Sequence, residues 1–593
     1  MPNNKNITKI SVLLLTGLIA LTYAQADTAW TRRYTSPNAG GSTPSNDYSY
    51  GLVVDNDGNV IMTGGSDYLG NAPELLTIKY APNGDTIWQR VPVRTGSQIS
   101  RAVVVGATGN VYITGYTMET GNGDYITVKY SPNGTMAWAV LYNGYGTGYD
   151  FARKIAIDSA ENIYVSGYTQ GASSKYFIGT IKYNSSGSQQ WVARDSFKGV
   201  SSLHYPADLA LDYQSNPYVV SRTGPTTASY DYLVAKYNPL TGDTLWVRYY
   251  DGTANDQDEA RAITFDPDGN VYVTGTSKGA GTGFDIVTLK YDANGTLQWE
   301  RRFSNPDTAD GSDGGWWIAY DPAGYVYVYG HTQGLKATNY YDLVLIKYNA
   351  LNGNTEWVSY YNGPAGDHYD YPVDKDGQNG MALDQFGNIY VLGLTRQLEG
   401  PGTQSTENDF ITVKFNSLGD TVWTARYNYA DSLETPYAIA VDNYTNVYVT
   451  GRSCAPNTYY DAVTIKYTQG ALPFYTITAN AYGPGTITPS GTVFVDTTGT
   501  ADTTFYITPD LHAQLDSLVV DGINHGGDST TYRFEDITSD HTIDAYFSYI
   551  TYTITATAHD GGTITPSGEV VIIEGEDTTF VITPDIGHHL DSL

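Results

Sequence analysis

The residues of this chain that could do chemistry are few. Trp316 and Trp317 stand together at the end of a loop rich in Gly and Asp, Ser304 to Trp317, and aromatic rings beside carboxylates and amides can hold sugar rings by stacking. His368 lies among Asp367, Tyr369, Asp370 and Tyr371, an acid-base grouping that would need a further partner from elsewhere in the chain. Asp251, Asp256, Asp258 and Glu259 crowd carboxylates into one short loop, which suits a hard cation such as calcium. A solvated acidic loop is the simpler reading, and a metal there would be structural. The stretches Asp55-Asn-Asp-Gly-Asn59 and Asp266-Pro-Asp-Gly-Asn270 also gather oxygens. None continues to the distal Glu of a calcium loop, and Asp-Gly between alternating runs is ordinary hairpin chemistry. Glu74, Asp124, Asp231, Asp285, Asp342, Asp409 and Asp461 each precede a recurring Lys by five residues, and turn capping with strand pairing accounts for them. His204, His331 and His368 are the only histidines between residues 27 and 469, without the i, i+4 spacing of a zinc site. No nucleophile elbow, Walker loop or dinucleotide fingerprint occurs, and 62 acids offer too many pairs to single out a glycosidase couple. No catalytic residue is predicted.

Composition narrows the elements that could position these residues. The chain carries 32 bases against 62 acids, a formal charge of −30, which argues against a phosphate-tracking surface and so against nucleic acid. Tyr supplies 54 residues and Gly 63, while charged residues are only 16%; this balance favours strands and turns over helices. Cys454 is the one cysteine, so no intrachain disulfide and no thiolate zinc site can form. Residues 1–26 combine Lys5 and Lys9, an apolar run from Ile10 to Leu21, and Ala24-Gln25-Ala26, the layout of a secretory signal cleaved before Asp27. The apolar run is well short of the ~20 residues that span a bilayer. An exported, extracellular or cell-surface chain is expected, monomeric and without a membrane span once processed.

Self-similarity decides the architecture. Between residues 27 and about 469 a unit returns with a period near 54. A Lys-Tyr or Lys-Phe pair ends a strand at Tyr80, Tyr130, Tyr183, Tyr237, Tyr291, Tyr348, Phe415 and Tyr467. A tryptophan follows at Trp88, Trp138, Trp191, Trp246, Trp299, Trp357 and Trp423, and Trp30 stands near the start without its preceding strand. Each unit holds four short alternating runs, which predicts four antiparallel strands, the blade of a propeller. The region starts at a Trp strand and leaves at the Lys-Tyr strand 461–467. The expectation is therefore an all-β, eight-bladed β-propeller of four-stranded antiparallel blades, closed by pairing of the N- and C-terminal strands.

These units resemble the bacterial SBBP β-propeller repeats, through Lys290-Tyr291, Asn294-Gly295, Trp299 and Asp266-Pro-Asp-Gly-Asn-Val-Tyr-Val-Thr-Gly275. That family is often described as seven-bladed, whereas the count here is eight, and the resemblance implies a fold and little about function. Antiparallel order puts the short Asn-Gly and Asp-Gly turns on one face and the long, divergent connections on the other: Asn143 to Asp150, Asp251 to Glu259, Ser304 to Trp317 and Tyr361 to Asn379. A variable face on a uniform scaffold is where binding is expected. By analogy with similar propellers, the strand preceding each Asp-x-x-Gly-Asn turn would be innermost.

From residue 470 the composition shifts to 17 acids and one base, Arg533. Tyr475 to Gly491 returns as Tyr552 to Gly568, 77 residues on. This tail resembles the divergent internalin-B-type bacterial repeats, as small tandem β modules at 470–549 and 550–593, the second expected to be truncated. The reading that follows is a non-catalytic scaffold that binds an extracellular protein or polysaccharide through its loop face, with the tail as spacer or adhesion stalk. Expected ligand contacts are Trp316, Trp317, Asp367, His368, Tyr369 and Tyr371. No cofactor is expected beyond a structural calcium at Asp251, Asp256, Asp258 and Glu259. The alternative is a quinoprotein-like dehydrogenase, because Asn238-Pro-Leu-Thr-Gly-Asp-Thr-Leu-Trp246 resembles the docking segment of that family, or a propeller glycosidase or lyase.

Overall fold

Alternation of apolar and polar residues over short runs, punctuated by Gly, Asn and Asp, leaves the backbone little choice but strands, and strands are what it forms. The computed structural model describes residues 26–592 apart from short stretches, among them 37–45, 334–340, 364–369 and 374–377. The expected export signal lies outside the described residues except for Ala26. The chain divides into two units, Met1–Gly470 and Ala471–Leu593. Among the described residues no helix is long and apolar enough to cross a membrane.

The first unit contains seven antiparallel sheets of four strands and one of five. In the sheet formed by Asp150–Ile157, Ile163–Gln170, Tyr176–Tyr183 and Gln189–Asp195, neighbours in sequence are neighbours in space. Its two middle strands are buried nearly throughout and its two edge strands only in part. Middle strands covered on both faces by adjacent sheets read as almost continuous apolar runs, and that is the Tyr-Val and Lys-Tyr signature of the repeat. Strand Asp27–Tyr34 pairs antiparallel with Tyr460–Thr468, so the start of the unit completes the sheet made by its end.

Sheets are tied to each other by the recurring tryptophans. Each indole Nε1 donates to an oxygen of the following sheet: Trp30 to Pro82 O, Trp88 to Pro132 O, Trp138 to Ser185 O, Trp191 to Pro239 O, Trp246 to Ala293 O, Trp299 to Ala350 O and Trp357 to Ser417 O, all within 2.9–3.3 Å, and Trp423 to Gln469 Oε1 at 3.2 Å. The repeat lysine often donates to the same oxygen, as Lys182 does to Pro239 O at 2.8 Å and Lys466 to Pro82 O at 3.0 Å. A carbonyl has two lone pairs and here uses both. The glycine of the Asn-Gly turn is required twice over. Gly134 has φ 80° and Gly295 φ 79°, and a Cβ on Gly134 would lie 2.6 Å from Trp88.

The Asp-x-x-Gly-Asn turns are closed by their own carboxylates. Asp266 accepts from Asn270 N, from Asn270 Nδ2 and, at 2.8 Å, from Tyr272 OH. With those acceptor sites occupied, the turn reading stands over the calcium reading. One unit lacks the acid and has Gly106 in its place. There Glu161 of the next unit supplies the carboxylate, accepting from Tyr112 OH at 2.7 Å, from Asn110 Nδ2 and from the Thr108 amide and hydroxyl. These donors hold the Glu161 carboxyl down to about 2, against the opposing pull of burial.

The tail unit has its own core of Ile477, Phe505, Ile507, Leu518, Ile543 and Phe547. It is built on a five-stranded sheet in which Phe474–Tyr482 runs parallel to His541–Tyr549. The second copy of the tail repeat forms two interleaved antiparallel strand pairs, 551–556 with 568–573 and 562–565 with 581–584.

All ten tryptophans lie in the first unit, so their fluorescence reports its unfolding alone. Glu161→Ala strands the buried Tyr112 hydroxyl and frees the partly buried donors of Thr108 and Asn110, and should cost about 1–3 kcal/mol in a urea titration. Adding Gly106→Asp should recover most of that loss, because a Cβ there enters the space held by the Glu161 carboxylate. Gly106→Asp alone should destabilise. A double variant no better than Glu161→Ala would show that the carboxylate is not what closes this turn.

Candidate functional site

First strands of five sheets line a common cavity of about 260 Å³, with Ala102, Lys154, Asp208, Ala262 and Trp317 on its walls. Seven of the first strands carry a β-bulge near their start, two to four residues after the strand's first residue. A bulge leaves one residue out of the ladder and re-aims it. The residues so released are Tyr50, Arg101, Arg153, Ala207, Arg261, Trp316 and Tyr437. Opposite each bulge the partner strand supplies the glycine of the Thr-Gly or Ser-Gly motif in most units. A Cβ on Gly167 would lie 2.0 Å from Phe151 O, and one on Gly275 2.0 Å from Glu259 O, so backbone approaches backbone too closely for any side chain.

In the remaining sheet the same register takes an insertion instead of one residue. Pro372 pairs with Gly393 and Met381 with Val391, so eight residues of sequence stand between them, of which Val373 and 378–380 are described. Gln378 from this insertion crosses to the other first strands. Its Oε1 accepts from Leu52 N and Val103 N, its Nε2 donates to Val103 O at 2.8 Å, and its carbonyl accepts from Lys154 Nζ at 3.1 Å. Asn379 O accepts from Ile439 N at 2.9 Å. The insertion therefore bonds to strands of four other sheets and puts a floor across the centre.

On the long-loop side of that floor is a smaller recess of about 60 Å³ lined by Arg153, Lys154, Tyr205, Arg222, Arg261, Trp316 and Trp317 among others. Arg261 lies 4.6 Å from the centre of the Trp316 ring, and Lys154 Nζ 5.0 Å from that of Trp317. Arg222 sits over both Tyr205 and Tyr230. Glu259 is the counter-charge, 2.5 Å from Arg222 and in contact with Arg261. Aromatic rings continue around the same rim, from Phe151 through Tyr168, Tyr176 and Tyr205 to Tyr230, and from Tyr50 to Tyr437. Trp316 Nε1 donates to His331 Nδ1 at 2.8 Å, and Tyr371 stacks on His331 with centroids 4.6 Å apart. Burial, and then Arg261, push the His331 imidazole down to about 3, so it serves as a neutral acceptor.

Of the residues expected to bind ligand, Trp316, Trp317 and Tyr371 come together here. Asp367, His368 and Tyr369 lie outside the described residues. The expected metal set is corrected. Asp251 and Asp258 do converge, with oxygens within 4.8 Å of one another and of Asp231, but Glu259 is turned to the arginines and Asp256 is not part of the group. Alternation along the strand sends successive side chains to opposite sides, so Asp258 and Glu259 cannot share one site. The bulge residues other than Trp316, and Arg222, escaped sequence reasoning. The recurring Gly after Val-Thr was the available signal, because its strand partner is the bulge.

Residues 138–173, 245–281 and 422–455 match the SBBP beta-propeller repeat. Each SBBP match begins at or beside a Trp strand and ends past the second strand of the following sheet, so the sequence repeat straddles a sheet boundary. No curated protein matches the chain. Among solved structures it is similar to the quinohemoprotein alcohol dehydrogenase ADHIIG of Pseudomonas putida HK5, at 11% identity and TM-score 0.42 over 76% of this chain and 77% of that one. It is similar as well to Sqt1 of Chaetomium thermophilum, at 9% identity and TM-score 0.41 over 75% of this chain and 100% of that one. Likeness at this level carries no argument about what this chain binds or does.

At the loop ends of the sheets, buried acids from adjacent sheets meet. Asp47 is pushed up to about 6, first by burial and further by Asp461. Asp150, Asp313 and Glu434 are raised the same way, beside Asp124, Asp285 and Asp409. A raised carboxyl means that the folded state keeps a proton the unfolded chain releases, so stability falls as pH rises between the two values. Asp47→Asn retains an acceptor for Ser36 N, now 2.8 Å from Asp47 Oδ2. Relative to this variant, the parent chain should lose stability on the order of 1–3 kcal/mol as pH rises from about 4 to 6. Urea midpoints by tryptophan fluorescence at pH 4, 5, 6 and 7 test this; parallel curves would refute it.

Proposed function

We propose that this chain is an exported, non-catalytic scaffold, an eight-bladed propeller closed by the 27–34 and 460–468 strand pair, that binds a polysaccharide at its long-loop face and carries its tail as a spacer or adhesion stalk. The observation behind this reading is the floored recess at Trp316, with aromatic rings continuing around its rim. Flat apolar rings that retain a polar edge suit the alternating apolar and hydroxyl faces of sugars. The segment Asn238 to Trp246, on which a quinoprotein alternative leans, joins two strands of one sheet and is taken up in sheet packing, Pro239 O accepting from the Trp191 indole and the Trp246 indole donating to Ala293 O. Asp231, Asp251 and Asp258 are where a structural calcium would sit, and a rise in the thermal unfolding temperature with added calcium, reversed by chelation, would reveal it.

The test is a screen of the full chain against cell-wall and extracellular polysaccharides, each binder then incubated and assayed for new reducing ends. Binding without product is expected. Trp316→Ala should weaken it about tenfold or more, as for loss of a buried aromatic anchor. New reducing ends would overturn the non-catalytic reading.

A further inference from the structure

One seam between two sheets brings a pair of buried carboxyls face to face. Glu434 opens the strand Glu434–Val441, in the sheet that Asp27–Tyr34 completes. Its amide donates at 2.8 Å to Asn408 O, just ahead of the strand Asp409–Phe415 in the preceding sheet. That bond sets Glu434 beside Asp409. Both side chains are buried, and the two carboxyls are in hydrogen-bonding contact. Ionised carboxylates only accept, so a hydrogen bond between them requires a proton on one of the two.

The surroundings decide which one carries it. Asp409 has a cation of its own, since Arg426 Nε donates to its Oδ2 at 2.6 Å. Glu434 has none among the described residues. Its Oε1 accepts from Ser453 Oγ at 3.1 Å and from Ser432 Oγ at 3.3 Å, while its Oε2 is buried and meets no N–H or O–H donor. A proton on Oε2 turns that orphan acceptor into a donor. Burial, and then Asp409, raise the Glu434 carboxyl to about 8, in keeping with this assignment. The other titratable or charged groups facing the pair, among the described residues, are Tyr427, Cys454, Arg33 and Asp461. Arg33 is engaged by Asp461 at 2.7 Å and by Tyr427 OH at 2.9 Å. It touches the pair through Ser453, whose Oγ it reaches at 2.8 Å, so the seam is also tied to the strand Asp27–Tyr34.

We propose that Glu434 and Asp409 share one proton and that this proton latches the seam: while it is held the loop ends of the two sheets stay joined, and when it leaves two buried like charges push them apart.

The experiment compares the full chain with Glu434→Gln, which keeps an acceptor for Ser453 and puts an N–H where the proton was. The fold already accepts an amide at this place, because Gln98 opens its strand with the same backbone bond, to Pro73 O ahead of Glu74. The infrared difference spectrum between the two chains should show a protonated carboxyl at about pH 6 that is lost by about pH 10. Amide exchange of the segment holding the Glu434 N–H is the second readout, each chain compared with the other at one pH so that intrinsic exchange cancels. A proton kept in the closed seam and released in the open one makes opening easier as pH rises between the two values. Exchange in the parent should therefore quicken relative to the variant by up to about tenfold per pH unit from about pH 5 to 8, then level off. Absence of the carboxyl band would overturn the shared proton. A band accompanied by equal exchange in both chains at every pH would overturn the latch.

Discussion

The structure of the first unit depends on one contact repeated from sheet to sheet: an indole N–H and, in most units, a lysine ammonium meeting on an oxygen of the next sheet's turn. Each such pair carries a hydrogen bond and brings the flat face of a tryptophan against a glycine that has no Cβ to keep it away. The contact fixes the offset between adjacent sheets, and through that offset the direction in which every first strand points. It involves residues near the start as well as the end of the unit, since Trp30 reaches Pro82 and Trp423 reaches Gln469. A substitution at any one of these turns would be felt as a change in sheet packing before it was felt in any site.

Against that uniform frame, variation enters at a single register. Sheets also carry a register shift between the Lys-Tyr strand and the Trp strand, but the bulge in seven of the first strands is where the escaping residue changes from Tyr to Arg to Ala to Trp. The same tolerance explains why the eight-residue insertion 373–380 appears at that register and nowhere else in the ladder of its sheet. The bulge residues gather rings and cations at the rim, and the insertion provides the floor beneath them. Conserving the pairing on both sides of the bulge is what allows the chemistry between to differ.

The acids follow a different logic. Those in the Asp-x-x-Gly-Asn turns are saturated by local donors, and Glu161 shows that the requirement is for a carboxylate at that place and not for any one residue in the chain. Asp47, Asp150, Asp313 and Glu434 at the loop ends are raised by burial and further by a neighbouring acid, which makes that end of the unit sensitive to pH. The net charge of −30 therefore says little about the recess, whose lining includes Arg153, Lys154, Arg222 and Arg261.

Strand positions, the four-strand unit and the pairing of 27–34 with 460–468 were legible in the sequence, because a period of two in side-chain direction and a period near 54 in motif are local and additive. The tryptophans were legible as packing residues, and Trp316 and Trp317 as departures from the repeat. The arginines were not. Arg153, Arg222 and Arg261 sit in different units, each unremarkable among its neighbours, and Glu259 looked like part of an acidic loop. Their meeting depends on sheet-to-sheet offset and on a bulge that changes which way one side chain points. Neither is encoded within a single repeat. Sequence by itself determined that the chain folds into these sheets; only the tertiary structure decided which residues face one another, because that follows from how separate sheets pack around a shared cavity.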